Sequence, residues 1–137
     1  PSMISKRRGI IINLSSISSF LPIPRDSMYS ATKLFINSFM ESLHISVRDK
    51  GVKVQVLCPG FVHSNFHKRA GVERSEIRRS LIIKWMQPDE VVRISVRALE
   101  TKNKVIVIPG FRNKLIRFLV TCLPRRIYYS FAAKYFQ

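Results

Sequence analysis

The stretch that decides the fold reads Gly9-Ile10-Ile11-Ile12-Asn13-Leu14-Ser15-Ser16. Its apolar part is continuous and rich in β-branched residues, which predicts a strand over about 9–15 that is covered on both faces of a parallel sheet. Two further apolar runs, over about 52–58 and 104–108, each end in a Pro-Gly pair. These three segments are predicted to be the strands of one sheet.

Helical patterns separate the predicted strands. Apolar side chains recur every three or four residues over about 28–50, and Gly51 stands where a left-handed cap commonly ends a helix. A proline and two acids in Gln87-Pro88-Asp89-Glu90 are typical of a first helical turn, so a helix is expected over about 88–101. A third helix is expected over about 112–134. The alternation of strands and helices predicts α/β architecture with right-handed βαβ units.

A short segment between the first two strands carries the most informative side chains, and it reads Tyr29-Ser30-Ala31-Thr32-Lys33. Helical spacing places Tyr29 and Lys33 on one face. Ser16, at the end of the first strand, precedes them, and Pro59-Gly60 closes the second strand. Each residue alone also fits a structural role: Tyr29 as a packing residue, Lys33 as a solvated cation, Ser16 as part of a turn. Their joint order favours a shared proton-transfer site.

The chemistry of such a site suits hydride transfer to or from an alcohol carbon, which needs a group to take or give the hydroxyl proton. A free phenol, with a pKa of about 10, is a poor base at neutral pH. A cation within about 4–6 Å favours the phenolate form, and Lys33 would supply that cation. Tyr29 would then act as the acid or base, while Ser16 would hydrogen-bond the substrate oxygen.

The ordered set Ser16, Tyr29, Lys33 and Pro59-Gly60 resembles the short-chain dehydrogenase/reductase family, and the resemblance runs over nearly the whole chain. It implies the C-terminal part of a doubly wound Rossmann-type parallel sheet. It also implies NAD(P)-dependent oxidation of a secondary alcohol or reduction of a ketone, with the choice between NAD and NADP open. Ser16, Tyr29 and Lys33 match the family's catalytic positions, and the family's Lys also binds the nicotinamide ribose.

Further cofactor contacts follow from the same resemblance. Pro59 and Gly60 match the motif whose loop passes the nicotinamide ring, and Val62 or its neighbours would contact the carboxamide. The family usually has Thr shortly after this point, and here Ser64 stands nearest. The implied cofactor-binding set is Tyr29, Lys33, Pro59, Gly60, Val62 and Ser64.

The segment 61–87 would bind the substrate, with Ser16 orienting its oxygen. Its bulky side chains include Phe61, Phe66 and Trp85. They suit a hydrophobic compound such as a lipid, a steroid or a long-chain acyl compound. Ordinary packing of a lid against the core would use the same residues, so both interpretations stay open.

Several parts of the family pattern have no counterpart in these residues: the glycine-rich pyrophosphate turn, the residue that separates NAD from NADP, and the catalytic Asn. With no initiator Met, the chain is therefore interpreted as the C-terminal half of a family member, expected to turn over little alone. Its expected divisions are a catalytic strand-helix-strand unit (1–60), a substrate-binding segment (61–87), the last helix and strand (88–110) and a tail (111–137). The competing interpretation is a non-catalytic membrane-associated or scaffolding fragment. A homo-oligomer is expected for the full-length protein.

The charge of the chain points to polyanionic partners. Its 24 basic and 8 acidic residues make a formal net charge of +16, which favours nucleic acid or an anionic membrane, although a solvated basic surface would have the same count. The tail 111–137 mixes basic with apolar residues, as in an amphipathic helix lying in a membrane interface. Completion of the core or of an oligomer interface is the alternative. Since no nucleic-acid-binding signature accompanies the basic residues, nucleic acid is not expected as a partner.

Cysteine usage and the apolar runs indicate the compartment. Cys58 and Cys122 form no CxxC pair, and no His cluster has metal-binding spacing, so neither a disulfide framework nor a metal site is expected. Cys58 lies in the second predicted strand and is expected to be buried and inert. The N-terminal residues do not resemble a signal peptide, and the apolar stretches fall short of the about 18–20 residues of a membrane span. A cytoplasmic location is predicted, with peripheral membrane contact as an option.

Overall fold

The computed structural model describes residues 2–24, 26–64, 84–101 and 104–135. Within them the helices and strands are, in chain order, α1 (Ser2–Ser5), β1 (Gly9–Leu14), α2 (Ser27–Val47), β2 (Val52–Leu57), α3 (Pro88–Thr101), β3 (Ile106–Val107), α4 (Phe111–Cys122) and α5 (Arg125–Tyr135). Short 3₁₀ helices, Ile17–Phe20 and Arg48–Lys50, follow β1 and α2. The predicted α/β class is confirmed, although β3 is shorter than the predicted strand 104–108.

The three strands form one parallel sheet in the order β1-β2-β3. Gly9 lies opposite Val52 and Leu14 opposite Leu57, so β1 and β2 are in register over their whole length. Because parallel strands in register end at the same side of a sheet, the residues that follow β1 and β2 are neighbours. This register brings the segment after Leu14 against the segment after Leu57.

The two faces of β2 pack against different helices. Val54 and Val56 belong to a buried cluster with Met40 of α2. Gln55 points to the opposite face, since side chains alternate along a strand, and its Nε2 donates to the carbonyl oxygen of Ser95 in α3 at 3.1 Å. Helices therefore cover both faces of the central strand, as in a doubly wound sheet.

The two faces of β1 differ in burial. The alternate side chains Ile10, Ile12 and Leu14 are 55%, 48% and 57% exposed, whereas Ile11 packs against the buried cluster beneath α2. In the described part of the chain, β1 therefore has one covered face, and cover of its second face stays a prediction for the full-length protein. The apolar run predicts a hydrophobic strand, but it does not specify which element covers each face.

The C-terminal tail is two helices, which corrects the single helix expected over about 112–134. The chain is extended at Leu123, with ψ 139°, because the following Pro124 disfavours the helical region for the residue before it. α5 is fastened by Tyr128, whose Oη donates to the carbonyl oxygen of Pro22 at 2.8 Å. α4 is held through Arg117, whose guanidinium lies 4.8 Å from the ring centroid of Phe20. Both helices thus contact the loop that follows β1.

None of the described helices is long and apolar enough for a bilayer span.

The packing of α2 on the sheet makes a direct prediction about stability. Met40 is 1% exposed, whereas Ile45, on the same helix, is 69% exposed. Met40→Ala should lower the free energy of unfolding by about 2–5 kcal/mol, because it removes buried apolar surface and leaves a cavity. Ile45→Ala should change it by about 0.5 kcal/mol or less. Urea unfolding followed by circular dichroism compares the two, and equal effects would contradict this packing.

Candidate active site

The candidate site lies where β1 and β2 end. Hydrogen bonding between the two segments continues past the strands, with Ser15 N donating to Leu57 O at 2.8 Å and Ile17 N donating to Pro59 O at 2.9 Å. These two bonds flank Ser16. The predicted catalytic Ser16 and the predicted cofactor-binding Pro59 therefore lie on neighbouring segments at one side of the sheet, where ligands of open α/β sheets bind.

Lys33 fastens α2 to the end of β1. Its Nζ donates to Leu14 O at 2.9 Å, and its backbone oxygen accepts from Ser15 Oγ at 3.0 Å. The same ammonium lies 5.6 Å from the ring centroid of Tyr29. The structure therefore brings Lys33 together with Tyr29, as the helical spacing predicts, and places both beside the residues that lead into Ser16.

The hydroxyl of Ser16 is held by Ser18. Its Oγ accepts from Ser18 N at 3.2 Å and from Ser18 Oγ at 2.8 Å, and so caps the 3₁₀ helix Ile17–Phe20. A hydroxyl has two acceptor positions and one hydrogen to donate. When Ser18 Oγ is the donor of the bond between the two hydroxyls, the O–H of Ser16 can donate to another oxygen.

A series of buried hydrogen bonds beside Ser16 was not predicted from the sequence. Asn37 of α2 donates from Nδ2 to Ser19 Oγ at 2.8 Å, and Ser19 Oγ donates to Ser16 O at 2.6 Å. Cys58 Sγ donates to Asn37 Oδ1 at 3.6 Å. The one signal in the sequence is position, because Asn37 falls four residues after Lys33 and eight after Tyr29 on the same helical face.

Gly60 is constrained by α4. A Cβ at this position would lie 2.7 Å from Oδ1 of Asn113, and the Asn113 side chain is fixed because its Nδ2 donates to Pro109 O at 2.7 Å. A side chain at position 60 would therefore have to displace the Asn113 amide from its bond to Pro109 O. The segment that follows β2 is therefore close to the first turn of α4, and the contact of Pro59 and Gly60 with a cofactor stays a prediction.

The two ends of the predicted substrate-binding segment, 61–87, lie next to each other. Val62 forms a parallel bridge with Met86, and this bridge brings Trp85 against two ring side chains. The ring centroid of Trp85 lies 5.3 Å from that of Phe61 and 5.2 Å from that of His63. Phe61 and Trp85 thus pack on each other, as expected if these residues serve in packing and not in substrate binding. Ser64 follows in the same loop, and Phe66 lies outside the described residues.

An open groove of about 760 Å³ runs between the loop after β1, the first turns of α2 and the tail helices. Its lining is mostly apolar and includes Phe20, Leu34 and Val120. Ser30 also lines it, and its buried Oγ has no hydrogen-bond partner among the described residues. The lining does not include Ser16, Tyr29 or Lys33. It does include Ser30, the residue that follows Tyr29 in α2.

The family is shown by comparison with known proteins. The model of the short chain dehydrogenase family matches residues 1–74, more than half of the chain. The chain therefore belongs to the short-chain dehydrogenase family.

Individual relatives cover almost the whole chain. It is 31% identical over 132 residues to the very-long-chain 3-oxoacyl-CoA reductase of Rattus norvegicus, with 95% of this chain and 38% of that protein covered. It is 31% identical over 128 residues to the 17-beta-hydroxysteroid dehydrogenase type 3 of the same species, with 93% and 38% covered. The chain thus spans about two fifths of the length of these relatives.

Solved structures show the same fold. A short-chain dehydrogenase from Sphingobium yanoikuyae, solved in complex with NADPH, matches with a TM-score of 0.70 at 21% identity. The match covers 90% of this chain and 49% of that one. The predicted placement of the chain within a doubly wound Rossmann-type fold is confirmed.

The two thiols of the chain should differ sharply in reactivity. Burial raises the pKa of the Cys58 thiol from 9.0 to about 11, whereas Cys122 is exposed. Because the thiolate is the reactive form, an aromatic disulfide reagent at pH 8 should modify Cys122 in the folded protein and Cys58 only after unfolding in urea. Mass spectrometry of the labelled peptides identifies the modified residue. Modification of both thiols at equal rates would contradict the burial of Cys58.

The same pKa shift has a consequence for stability. The unfolded state loses this proton at lower pH than the folded state, so the contribution of Cys58 to the free energy of unfolding decreases between about pH 9 and pH 11. A Cys58→Ala variant should lack this part of the alkaline decrease. A parallel decrease in both proteins would show that Cys58 does not contribute to it.

Proposed function

We propose that the protein containing this chain is an NAD(P)-dependent oxidoreductase that oxidises a secondary alcohol or reduces a ketone. The observation that carries the proposal is the position of the Lys33 ammonium, bonded to the end of β1 and 5.6 Å from the ring centroid of Tyr29. Membership of the short-chain dehydrogenase family supports the same assignment. Ser16 follows the same strand end by two residues.

The chemistry of the donors fits a nicotinamide cofactor. An ammonium carries three donor hydrogens, and the bond to Leu14 O uses one of those of Lys33, so the others can bind the ribose hydroxyls. Pro59 and Gly60 stand at the adjacent strand end, and the family resemblance assigns their loop to the nicotinamide ring. When bound, the cofactor would supply or accept the hydride. NADPH in the solved relative from Sphingobium yanoikuyae supports this choice of cofactor class.

The protein side chains would move and stabilise the proton. In ketone reduction, Ser16 donates its O–H to the substrate oxygen while its Oγ accepts from Ser18. Tyr29 gives its phenolic proton to the developing alkoxide, and the Lys33 ammonium stabilises the phenolate left behind. In alcohol oxidation the same groups act in reverse, with Tyr29 as the base.

Apolar surroundings favour a hydrophobic substrate. The groove of about 760 Å³ beside the start of α2 is lined mainly by apolar side chains, and the tilted rings of Phe61 and Trp85 lie in contact next to the end of β2. The two relatives from Rattus norvegicus are named for a very-long-chain acyl-CoA and for a steroid. We therefore expect lipid- or steroid-like ketones to be reduced faster than short ones.

The full-length protein is needed for activity in this proposal. The exposed apolar face of β1, formed by Ile10, Ile12 and Leu14, is unusual for a parallel strand, and we expect the rest of the protein to cover it and to complete the cofactor site. The expected homo-oligomer stays a prediction. A non-catalytic member of the family, acting as a membrane-associated or scaffolding protein, is the alternative.

A Tyr29→Phe substitution in the full-length protein tests the assignment. It should lower the turnover number by more than about 100-fold, because it removes the phenolic proton that the proposal assigns to the exchange, while NADPH affinity stays within a few-fold. Ile45→Ala, at a position of α2 that is 69% exposed and does not line the groove, is the control and should leave turnover unchanged. NADPH consumption is measured across ketones of graded chain length.

Two results would contradict the assignment. Turnover that survives Tyr29→Phe would show that another group exchanges the proton. A wild-type protein that consumes no NADH or NADPH with any ketone of the series would favour the non-catalytic alternative.

A second function, docking on an anionic membrane surface, is favoured by the outward face of α4. Phe111, Leu115, Phe118 and Leu119 are all exposed, and their spacing places them on one helical stripe. Arg112 and Lys114 stand beside this stripe. An apolar stripe with flanking cations is the pattern of a helix lying in a membrane interface, and each cation near an anionic leaflet contributes about 1 kcal/mol.

Co-sedimentation with lipid vesicles tests membrane docking. The protein should pellet with vesicles rich in phosphatidylserine and stay in solution with pure phosphatidylcholine, because the cations need an anionic surface. Combining Leu115→Glu with Phe118→Glu should abolish pelleting by introducing charge into the apolar stripe. Val92→Glu, at an equally exposed apolar position on α3, is the control. Pelleting that is indifferent to lipid charge, or unaffected by the double change, would overturn the proposal.

A further inference from the structure

Asn37 is a buried amide on the helix that carries Tyr29 and Lys33. It is 2% exposed, and it lies one turn beyond Lys33 on the same face of α2. Burial of an amide costs free energy unless its polar atoms are paired. Both ends of this side chain are paired: Nδ2 donates to Ser19 Oγ, and Oδ1 accepts from Cys58 Sγ. The amide therefore joins α2 to the segments that follow β1 and β2.

Ser19 passes this connection on to Ser16. Its Oγ donates to Ser16 O at 2.6 Å, and its backbone N donates to the same oxygen at 3.1 Å. The other side of the same peptide bond is also fixed, because Ile17 N donates to Pro59 O at 2.9 Å. The peptide group between Ser16 and Ile17 is thus hydrogen-bonded at its C=O and at its N–H. The bonds at the C=O lead through Ser19 to Asn37 in α2.

We propose that Asn37 and Ser19 are positioning residues that set the distance between Ser16 and the Tyr29/Lys33 pair. The proposal rests on the function proposed above and adds two residues to it. Asn37 is rigidly connected to Tyr29 and Lys33 by the helix, so its bond to Ser19 ties the backbone of Ser16 to the position of both side chains. Because the Asn37–Ser19 bond is buried, it is stronger than it would be in water.

The consequence concerns the reacting geometry and not cofactor binding. The Ser16 hydroxyl moves with its own backbone, and a displacement of about 1 Å in a reacting group can cost about 100-fold in rate. Neither Asn37 nor Ser19 takes part in the cofactor contacts expected for Lys33, Pro59 and Gly60. Loss of the Asn37–Ser19–Ser16 hydrogen bonds should therefore lower the turnover number and leave the affinity for NADPH unchanged.

Kinetics of variants in the full-length protein provide the first test. Ser19→Ala and Asn37→Leu should each lower kcat by about tenfold or more, which corresponds to roughly 1.4 kcal/mol of activation free energy, with the KM for NADPH within twofold. Ser19→Thr retains a hydroxyl and should recover most of the activity. The double variant should be no slower than the slower single variant, because both changes break one chain of bonds. Ser46→Ala, which removes an exposed hydroxyl bond to Ser42 O on the same helix, is the control.

A second measurement needs no turnover. Ser16-Ile17 is the one Ser-Ile pair of this chain, so labelling with carbonyl-¹³C serine and ¹⁵N isoleucine marks this peptide bond, and Ile17→Val assigns its signal by removing it. Loss of the bond from Ser19 Oγ should shift the Ser16 carbonyl resonance in Ser19→Ala. The same resonance should shift in Asn37→Leu and stay in place in Ser46→Ala.

The outcomes separate the two proposals. An inactive wild-type protein would overturn the proposed function, while a shifted Ser16 resonance in both variants would still establish the connection from α2 to Ser16. An active protein in which Ser19→Ala and Asn37→Leu keep kcat within twofold would overturn the positioning role. Multiplying effects in the double variant, or an unshifted Ser16 resonance in Asn37→Leu, would overturn it as well.

Discussion

The contact between Lys33 and the end of β1 is the constraint on which the site depends. The ammonium donates to Leu14 O, and Ser15 Oγ donates to the backbone oxygen of Lys33, so a side chain and a peptide group of α2 are both fastened to the same strand end. A slip of one residue along α2 would turn the helical face by about 100°. Tyr29 would then leave the ammonium, and the face it shares with Lys33 would turn away from the end of β1.

The buried polar groups of the chain divide into two sets with different consequences. Gln55 and Ser95 bond to each other across the face of the sheet under α3, away from the strand ends, and they join a helix to a strand. Asn37 and Ser19 lie on the other face and reach the peptide group of Ser16. Both sets pair polar atoms that would be costly to bury alone, but only the second fixes the geometry of the candidate site.

Much of the fold could be predicted from the sequence because it depends on patterns of period two and period 3.6. The continuous apolar run before Ser16 predicts β1, and the helical spacing after Tyr29 predicts α2. The exposed outer face of β1 could not be predicted, because a hydrophobic strand does not specify what covers it. The break at Pro124 is visible in the sequence, yet its consequence, that Tyr128 turns inward to Pro22 O, depends on tertiary packing.

The candidate site was predictable only in part. Tyr29 and Lys33 could be paired because helical geometry brings together residues four apart, and the structure shows the ammonium beside the ring. Asn37 was missed, because a polar residue in an amphipathic helix usually faces water, and only tertiary structure shows that it meets Ser19. The close approach of Asn113 to Gly60 could not be predicted either, because it depends on how α4 packs against the end of β2.

The most direct measurement is a crystal structure of the full-length protein with NADP⁺ and a ketone or alcohol ligand. The account predicts that Lys33 Nζ keeps its bond to Leu14 O while reaching the nicotinamide ribose, and that Ser16 Oγ and Tyr29 Oη both lie within about 3 Å of one ligand oxygen. A structure in which Lys33 leaves the end of β1, or in which the two hydroxyls point to different places, would contradict it.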